Sequence, residues 1–185
     1  LEDVAYVQSG GGVIKLLGCA KRQPGGKISA IVSPAVVQNG SQLASVRDVF
    51  NAILVRGDAI GDVVFYGRGA GKLPTASAVV ADVIDCAKHV QRKKAFGWGP
   101  SEENYVVDYR TLPVALYVRA EVDNREEVLA AVREAVGEVR VLSREGAPEN
   151  EIAFFTETDV EQTLCDKLAA VPGLHVRSQI RITDY

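Results

Sequence analysis

The sequence predicts an α+β fold, and three patterns support this class. Apolar and polar residues alternate along two stretches, 114–122 and 174–182, as they do on strands with unlike faces. Two other stretches, 125–136 and 159–171, repeat their apolar residues with the spacing of an amphipathic helix. The segment 95–112 follows neither period and contains glycine, proline and adjacent acids, so we expect a linker between two blocks.

The first block, residues 1–94, is predicted to contain a strand, a hairpin and a helix. The strand is expected over Lys27–Val32, where apolar residues alternate with polar ones. The run "VFNAILVRGDAIGDVVFYG" has two β-rich halves around a glycine-containing turn region, which predicts a β-hairpin. The helix follows a glycine-rich stretch, and one face of it carries Val79, Val80, Val83, Ile84, Ala87 and Val90.

The second block, residues 113–185, has the order strand, helix, strand, strand, helix, strand. This βαββαβ order is typical of a ferredoxin-like α+β module, in which the helices cover one face of an antiparallel sheet. In the last strand, the side chains expected to point inward are Leu174, Val176, Ile180 and Ile182. The opposite row is expected to be a solvated sheet face or a pairing face, and it consists of Tyr117, Arg119, His175, Arg177 and Arg181.

Composition narrows the classes of partner and compartment. The formal net charge of −3 gives no electrostatic reason to expect nucleic acid or an anionic membrane as a partner. The sequence shows neither an apolar run long enough to span a membrane nor a signal-peptide pattern. Three cysteines lie far apart, which favours reduced thiols and a cytoplasmic location. With two histidines and no CxxC pair, no metal site is expected.

The stretch "FYGRGAGKLPTASAVVADVID", residues 65–85, combines three glycines with the start of a helix. Glycine lets the backbone turn sharply and approach a ligand closely, and a helix N-terminus favours an anion. The pattern is neither a Walker motif nor a dinucleotide fingerprint within a βαβ unit. From the residues alone, a ligand-binding loop and a tight strand-to-helix turn both remain open, with Pro74 in the first helical turn.

Two stretches of the first block resemble homoserine dehydrogenases. The longer is "DVFNAILVRGDAIGDVVFYGRGAGKLPTASAVVADVID", residues 48–85, and the other is "VIKLLGCAKR", residues 13–22. The resemblance implies that residues 1–94 are the C-terminal part of the family's catalytic and dimerisation region. The predicted fold is therefore the mixed-sheet remainder of that region followed by the ferredoxin-like module.

The resemblance also implies an activity and a cofactor. Family members interconvert L-homoserine and L-aspartate 4-semialdehyde with NADP or NAD, which is held mostly by an N-terminal Rossmann domain. The positions that match the family's cofactor-contacting loop are Gly69, Ala70, Gly71 and Thr75. No catalytic residue is expected within this sequence, Lys15 included, so these residues alone are expected to be inactive.

The second block resembles an ACT domain, the amino-acid-sensing module at the end of many homoserine dehydrogenases. This implies threonine as an effector, with Asp123, Asn124 and Arg125 as the candidate contacts. Glu126 and Glu127 replace the familiar Pro-Gly of such loops, and a second interpretation is that Asn124 simply caps the following helix. A homo-oligomer, a dimer or higher, is expected. The alternative function is an amino-acid-sensing or dimerisation module without catalysis.

Overall fold

The computed structural model describes residues 1–92, 97, 99–100 and 103–185. They form two compact units. Unit 1 combines Leu1–Ala44 with Glu103–Tyr185, and unit 2 is Ser45–Glu102. The predicted linker over 95–112 lies partly outside the described residues. The boundaries predicted at residues 94 and 113 divide the chain by family region rather than by packing, and they stay a prediction.

Helices and strands alternate along the chain in the predicted α+β manner. The helices are α1 (Glu2–Ser9), α2 (Lys72–Lys88), α3 (Arg125–Val136) and α4 (Glu161–Ala169). The strands are β1 (Gly12–Arg22), β2 (Ile28–Gln38), β3 (Phe50–Gly57), β4 (Gly61–Arg68), β5 (Pro113–Val122), β6 (Val139–Leu142), β7 (Glu151–Thr156), β8 (Asp159–Val160) and β9 (Leu174–Ile182).

The main sheet of unit 1 has the strand order β1-β2-β9-β5-β7-β6. Strands β9-β5-β7-β6, together with α3 and α4, form the predicted βαββαβ module, and each neighbouring pair of these strands is antiparallel. The other part of the sheet is the β1–β2 hairpin, whose strand β2 pairs with β9 in parallel at Ala35↔Arg181 and Val36↔Ile182. The first block therefore extends the sheet of the second.

One hydrophobic core lies between this sheet and the helices α3 and α4. The side chains at its centre come from alternate positions of β5 and β7 and from the apolar stripes of both helices. The most deeply buried are Val118, Ala120, Val132, Ile152, Phe154, Leu164 and Leu168. The period-two and helical patterns of the sequence predict this core, because each places one apolar face toward the other.

A second core covers part of the opposite face of the sheet, so the prediction of a solvated or pairing face was wrong at Tyr117 and Arg119, whereas His175 and Arg177 are exposed. Helix α1 and strand β2 pack there, and the cluster consists of Tyr6, Val7, Val36, Tyr117, Leu142, Ala153 and Phe155. Tyr117, expected among the outward residues, has no exposed surface. Strand β7 is buried at every one of its positions, because both of its faces are covered.

Strand β9 also departs from the predicted pattern. The pairing of β5 with β9 shifts register between Arg119 and Ala120, opposite Ser178 and Val176. Such an irregularity changes which face the following side chains occupy. Leu174 consequently lies in the first core, whereas Ile180 and Ile182 pack against the second. The expectation that all four apolar residues of β9 point the same way was therefore wrong.

A buried carboxylate on the second face organises several elements around it. Glu151 begins β7 and has only 6% of its surface exposed. Its side chain accepts hydrogen bonds from Arg119 Nη1 on β5 at 2.9 Å, from Arg144 Nη2 at 2.7 Å and from the Tyr6 hydroxyl on α1 at 3.0 Å. Burial, the largest influence, opposes ionisation, but these donors outweigh it and hold the pKa of Glu151 below its usual value.

A second carboxylate, Asp3, ties α1 to the same strand. Its Oδ1 atom accepts hydrogen bonds from Arg119 Nε at 2.7 Å and from the Tyr117 hydroxyl at 2.9 Å. Burial again favours the neutral acid most strongly, yet the donors lower the pKa of Asp3 on balance. Burial, and after it the hydrogen bond to Asp3, raise the pKa of the Tyr117 phenol, so that the phenol stays a donor. Asp3, Tyr6, Tyr117, Arg119, Arg144 and Glu151 together form what we call the carboxylate network.

Unit 2 is built from a β-hairpin and one helix. Strands β3 and β4 pair antiparallel from Phe50↔Arg68 to Gly57↔Gly61, which confirms the predicted hairpin. Helix α2 confirms the predicted helix, but none of its residues is buried. The apolar stripe is exposed, with Val79, Val80 and Val83 each more than half exposed. Within the described residues, this stripe is an open apolar surface.

We expect Arg119→Met to lower the free energy of unfolding by about 3 kcal/mol, because it leaves two carboxylates with fewer donors in a mostly buried site. Urea unfolding at neutral pH measures this. Lys167→Met is the matched control, since it breaks an exposed pair with Asp159 at 3.1 Å and should cost less than about 1 kcal/mol. Equal losses in the two variants would contradict the structural role of the carboxylate network.

The carboxylate network also predicts an acid-sensitive component of stability. The usual pKa values of Glu151 and Asp3 are 4.5 and 3.8, and the fold lowers both. Their contribution is therefore complete above about pH 4.5 and is lost as the pH falls through the lowered values. We expect the urea midpoints of the wild type and Glu151→Gln to differ at neutral pH and to converge in acid. A difference that is constant from neutral pH down to about pH 3 would show that Glu151 ionisation does not carry it.

Candidate functional site

The predicted cofactor loop lies between a strand and a helix of unit 2. Strand β4 ends at Arg68, the residues Gly69, Ala70 and Gly71 form the turn, and α2 begins at Lys72. Gly71 is the N-cap of α2 and has φ of 122°, a conformation that side-chain-bearing residues rarely adopt. The amide of Thr75 donates to the Gly71 carbonyl at 3.1 Å and so closes the first helical turn.

At Gly69 the constraint is weaker and concerns space, because the atoms in the way belong to the exposed side chain of Asn51. A Cβ atom at this position would overlap the side-chain amide of Asn51, on the neighbouring strand β3. At Gly67, in contrast, a Cβ would meet open space. Two of the three glycines thus have a local structural cause, and the same absence of side chains leaves the loop backbone accessible. Both interpretations of the glycine pattern are compatible with this geometry.

The N-terminus of α2 has the features of an anion-favouring helix end. Among the described residues no side chain caps it, and its first turn carries no acid, so the N–H groups of Lys72 and Leu73 are left to other partners. Two cations, Arg68 and Lys72, flank the loop. Arg68 lies over the ring of Phe50 at 5.5 Å, and Phe50 in turn stacks on Tyr66. The loop therefore offers backbone donors and glycine backbone to a ligand, while Arg68 is held on the hairpin.

The predicted effector residues lie together at the start of α3. Asn124 is the N-cap, and its Oδ1 atom accepts from the amides of Glu126 at 3.1 Å and Glu127 at 3.4 Å. Its Nδ2 group donates to Glu127 Oε1 at 3.0 Å. The capping interpretation of this sequence is confirmed, and the two acids sit where the helix dipole favours negative charge.

The other two predicted effector residues also make local contacts. Arg125 Nη1 donates to the main-chain oxygen of Glu151 at 2.7 Å, and Asp123 pairs with His175 at 3.2 Å. The structure brings the three residues together but gives each a partner of its own. Their effector role stays a prediction, and His175 is an exposed residue whose Nε2 atom lies near the Asp123 carboxylate.

Sequence reasoning missed the carboxylate network. His89 is the C-cap residue of α2, and its Nδ1 atom lies 3.0 Å from both the carbonyl and the carboxylate of Asp85. The signal for the network was available in "ENEIAFFT", where an acid opens a strand that is otherwise continuously apolar. Lys15 lies on β1, opposite Ala35 of β2.

Across residues 1–92 and 103–185, no three His, Cys, Asp or Glu side chains are grouped so as to hold a metal ion. None of the helices that the structure describes is long and apolar enough to cross a membrane.

Comparison with known proteins gives one consistent result. The sequence profile of the homoserine dehydrogenase family matches residues 1–84. Curated homoserine dehydrogenases from Neisseria gonorrhoeae and Helicobacter pylori are 30% and 32% identical to the chain, over 93% and 94% of its length. The homoserine dehydrogenase of Synechocystis is 50% identical over a shorter stretch, 45% of the chain.

Solved structures agree with the sequence matches. A homoserine dehydrogenase from Thiobacillus denitrificans superposes on 99% of the chain with a TM-score of 0.78 and 28% identity. One from S. aureus superposes on 99% with a TM-score of 0.73 and 26% identity.

The extent of these matches shows how much of a family member is represented. The chain spans 42% of the Neisseria and Helicobacter proteins and 45% of the Thiobacillus chain. Sequence profile, relatives and fold all point the same way: the chain is similar to homoserine dehydrogenases, over somewhat less than half of their length.

Proposed function

We propose that this chain is the part of a homoserine dehydrogenase that completes the cofactor site and carries a C-terminal regulatory block. The whole protein would interconvert L-homoserine and L-aspartate 4-semialdehyde with NAD or NADP. The observation that carries this proposal is the loop Gly69–Gly71 leading into α2, within the residues that match the family profile. A purely amino-acid-sensing module is not favoured, because that match lies in residues 1–84, outside the second block.

The loop residues fit a nicotinamide cofactor by their chemistry. Gly69 and Gly71 present backbone without side chains, and the first turn of α2 offers N–H donors without a competing cap or acid. When bound, the cofactor supplies hydride transfer to or from the carbon that carries the substrate oxygen. In our proposal, Gly69, Ala70 and Gly71 contact it through their backbone, and Thr75 contributes its hydroxyl from the first turn.

We assign no proton transfer to the residues of this chain. Oxidation of a hydroxyl needs a group that accepts its proton, and an amino-acid substrate needs carboxylates for its ammonium. The carboxylate network already engages Asp3 and Glu151 with arginines, and the loop itself contains no acid. The chain by itself is therefore proposed to be inactive, with the remaining groups supplied by the rest of the enzyme.

Two exposed surfaces support function within a larger assembly. The first is the apolar face of α2, and large exposed apolar patches are typical of contact surfaces. The second is β1, which forms an edge of the main sheet and has an outward residue, Leu16, that is 73% exposed. An open edge strand is a template for pairing. We propose that β1 pairs with a second copy, giving a homodimer. The unpaired cysteines fit a cytoplasmic protein.

Regulation by L-threonine is a further part of the proposal. It is supported by the βαββαβ module and by the cluster of Asp123, Asn124 and Arg125, three polar side chains at one helix start. If threonine binds there, it competes with the local partners of these residues. We expect Asn124→Ala to weaken threonine binding and also to lower stability by about 1 kcal/mol through loss of the cap.

The test of the catalytic proposal uses the full-length protein that carries these residues. We expect this protein to reduce NAD or NADP only when L-homoserine is present. The absorbance of the reduced cofactor measures the reaction. The 185-residue chain alone should show none. If the full-length protein reduces neither cofactor with homoserine, the proposal is wrong.

A pair of glycine variants tests the loop. Gly71→Val forces a branched side chain into a positive-φ position and covers the backbone, so we expect kcat/KM for the cofactor to fall at least ~100-fold. Gly67→Ala is the control, because its new methyl group meets open space, and should stay within about 3-fold of the wild type. Equal activity of the two variants, with both proteins folded by circular dichroism, would exclude a cofactor contact at Gly71.

A further inference from the structure

Unit 1 contains a cavity that neither the cofactor loop nor the predicted effector residues line. Its volume is about 370 Å³, and it lies between the β1–β2 hairpin, strands β5 and β9, and the segment that precedes β5. One wall is aliphatic and comes from widely separated parts of the chain. The side chains of this wall are Leu17, Ile31, Leu112, Val114 and Ile182.

A fixed guanidinium faces the cavity from β9. Arg181 donates from Nε and Nη2 to the two carboxylate oxygens of Glu161, at 2.7 and 2.5 Å. Its guanidinium also stacks on the ring of Tyr109, with 4.5 Å between the guanidinium carbon and the ring centroid. Nη1 takes no part in a hydrogen bond among the residues that the structure describes. Arg181 is thus held rigidly while part of its donor capacity remains available.

Glu161 lines the cavity beside this arginine and is only 7% exposed. A buried carboxylate and a guanidinium side by side present both signs of charge to a ligand at short range. A simple carboxylate bound to Arg181 would be repelled by Glu161, and a simple amine on Glu161 would be repelled by Arg181. A molecule that carries one carboxylate and one ammonium satisfies both groups.

The remaining charges of the cavity also balance. Lys21 pairs with Asp184 at 3.2 Å, so the lining side chains include two cations and two anions. This balance does not favour a multiply charged anion such as a nucleotide. The volume agrees, since it is near the lower end of the range of about 300–1,000 Å³ found for small-molecule sites.

We propose that this cavity binds a small aliphatic L-amino acid. The carboxylate of the ligand is held by Arg181, its ammonium by Glu161, and its side chain by the aliphatic wall that includes Leu17 and Ile31. The site is separate from the predicted threonine contacts at Asp123–Arg125, none of which lines the cavity. It lies where the β1–β2 hairpin meets the βαββαβ module, so a bound ligand contacts both.

Strand alternation supplies a matched pair of variants for the test. Ser33 on β2 lines the cavity, whereas its neighbour Val32 points to the other side of the strand and is 74% exposed. Ser33→Phe fills the cavity, and Val32→Phe adds the same ring outside it. Arg181→Met removes the charge inside, and Arg177→Met removes an exposed arginine of the same strand that pairs with Glu121 at 2.7 Å.

The experiment is calorimetric titration of the chain with L-leucine, L-isoleucine and L-threonine. We expect saturable binding of at least one of them and none of 4-methylpentanoate or 3-methylbutylamine, each of which lacks one charge. Ser33→Phe and Arg181→Met should weaken binding at least ~10-fold, and the two control variants should stay within about 2-fold. Thermal unfolding of each variant shows whether it is folded. If Arg181→Met does not fold, the binding measured with Ser33→Phe decides the result.

Three results would overturn the proposal. The first is no heat from any of the three amino acids at about 10 mM, which would make the cavity a structural void. The second is equal binding of 4-methylpentanoate, which would exclude recognition of the ammonium. The third is binding that survives Ser33→Phe but is lost in Asn124→Ala, which would place the ligand at the start of α3. None of these results depends on dehydrogenase activity, so the site and the catalytic proposal can fail independently.

Discussion

The buried carboxylate of Glu151 is the constraint on which the arrangement of unit 1 depends. An ionised group with 6% exposure is stable only if several donors surround it, and here they come from three separate parts of the chain. Whatever covers this face of the sheet must therefore supply a donor as well as apolar surface. Helix α1 does both, since Tyr6 donates to the carboxylate and Val7 packs in the second core. The buried carboxylate thus requires a covering helix that carries a hydrogen-bond donor at the position of Tyr6.

The parts of the fold that the sequence predicts are those in which each local pattern has one consistent meaning. The hairpin, α2 and the βαββαβ module follow from period and turn residues, and the N-cap of α3 follows from spacing. The second core could not be predicted in this way, because Tyr117 and Arg119 read as an outward polar row. They are polar and buried at once, which alternation alone cannot distinguish from solvent exposure. The register shift between Arg119 and Ala120, in the pairing of β5 with β9, is not visible in the pattern of apolar and polar residues either.

The candidate sites differ in the same respect. The glycine loop is one contiguous segment whose residue types reflect its geometry, since Gly71 takes a positive φ and a Cβ at Gly69 would overlap Asn51. A resemblance over a few dozen residues therefore suffices to find it. The cavity beside Arg181 is assembled from β1, β2, β5, β9, the segment that precedes β5 and the start of α4. Glu161 and Arg181 read separately as a helix-starting acid and an outward strand cation, and only the fold makes them a pair.

The parallel pairing of β2 with β9 has a consequence for how the chain folds. These strands lie far apart in sequence, and all of unit 2 is inserted between the two halves of unit 1. Contacts of such large separation require closure of a long loop before they stabilise anything, which slows folding. During synthesis from the N-terminus, the part of β2 around Ala35 and Val36 stays unpaired on this side until β9 has been made. During that interval this part of β2 can pair with a wrong strand, and the pairing with β9 then prevents this.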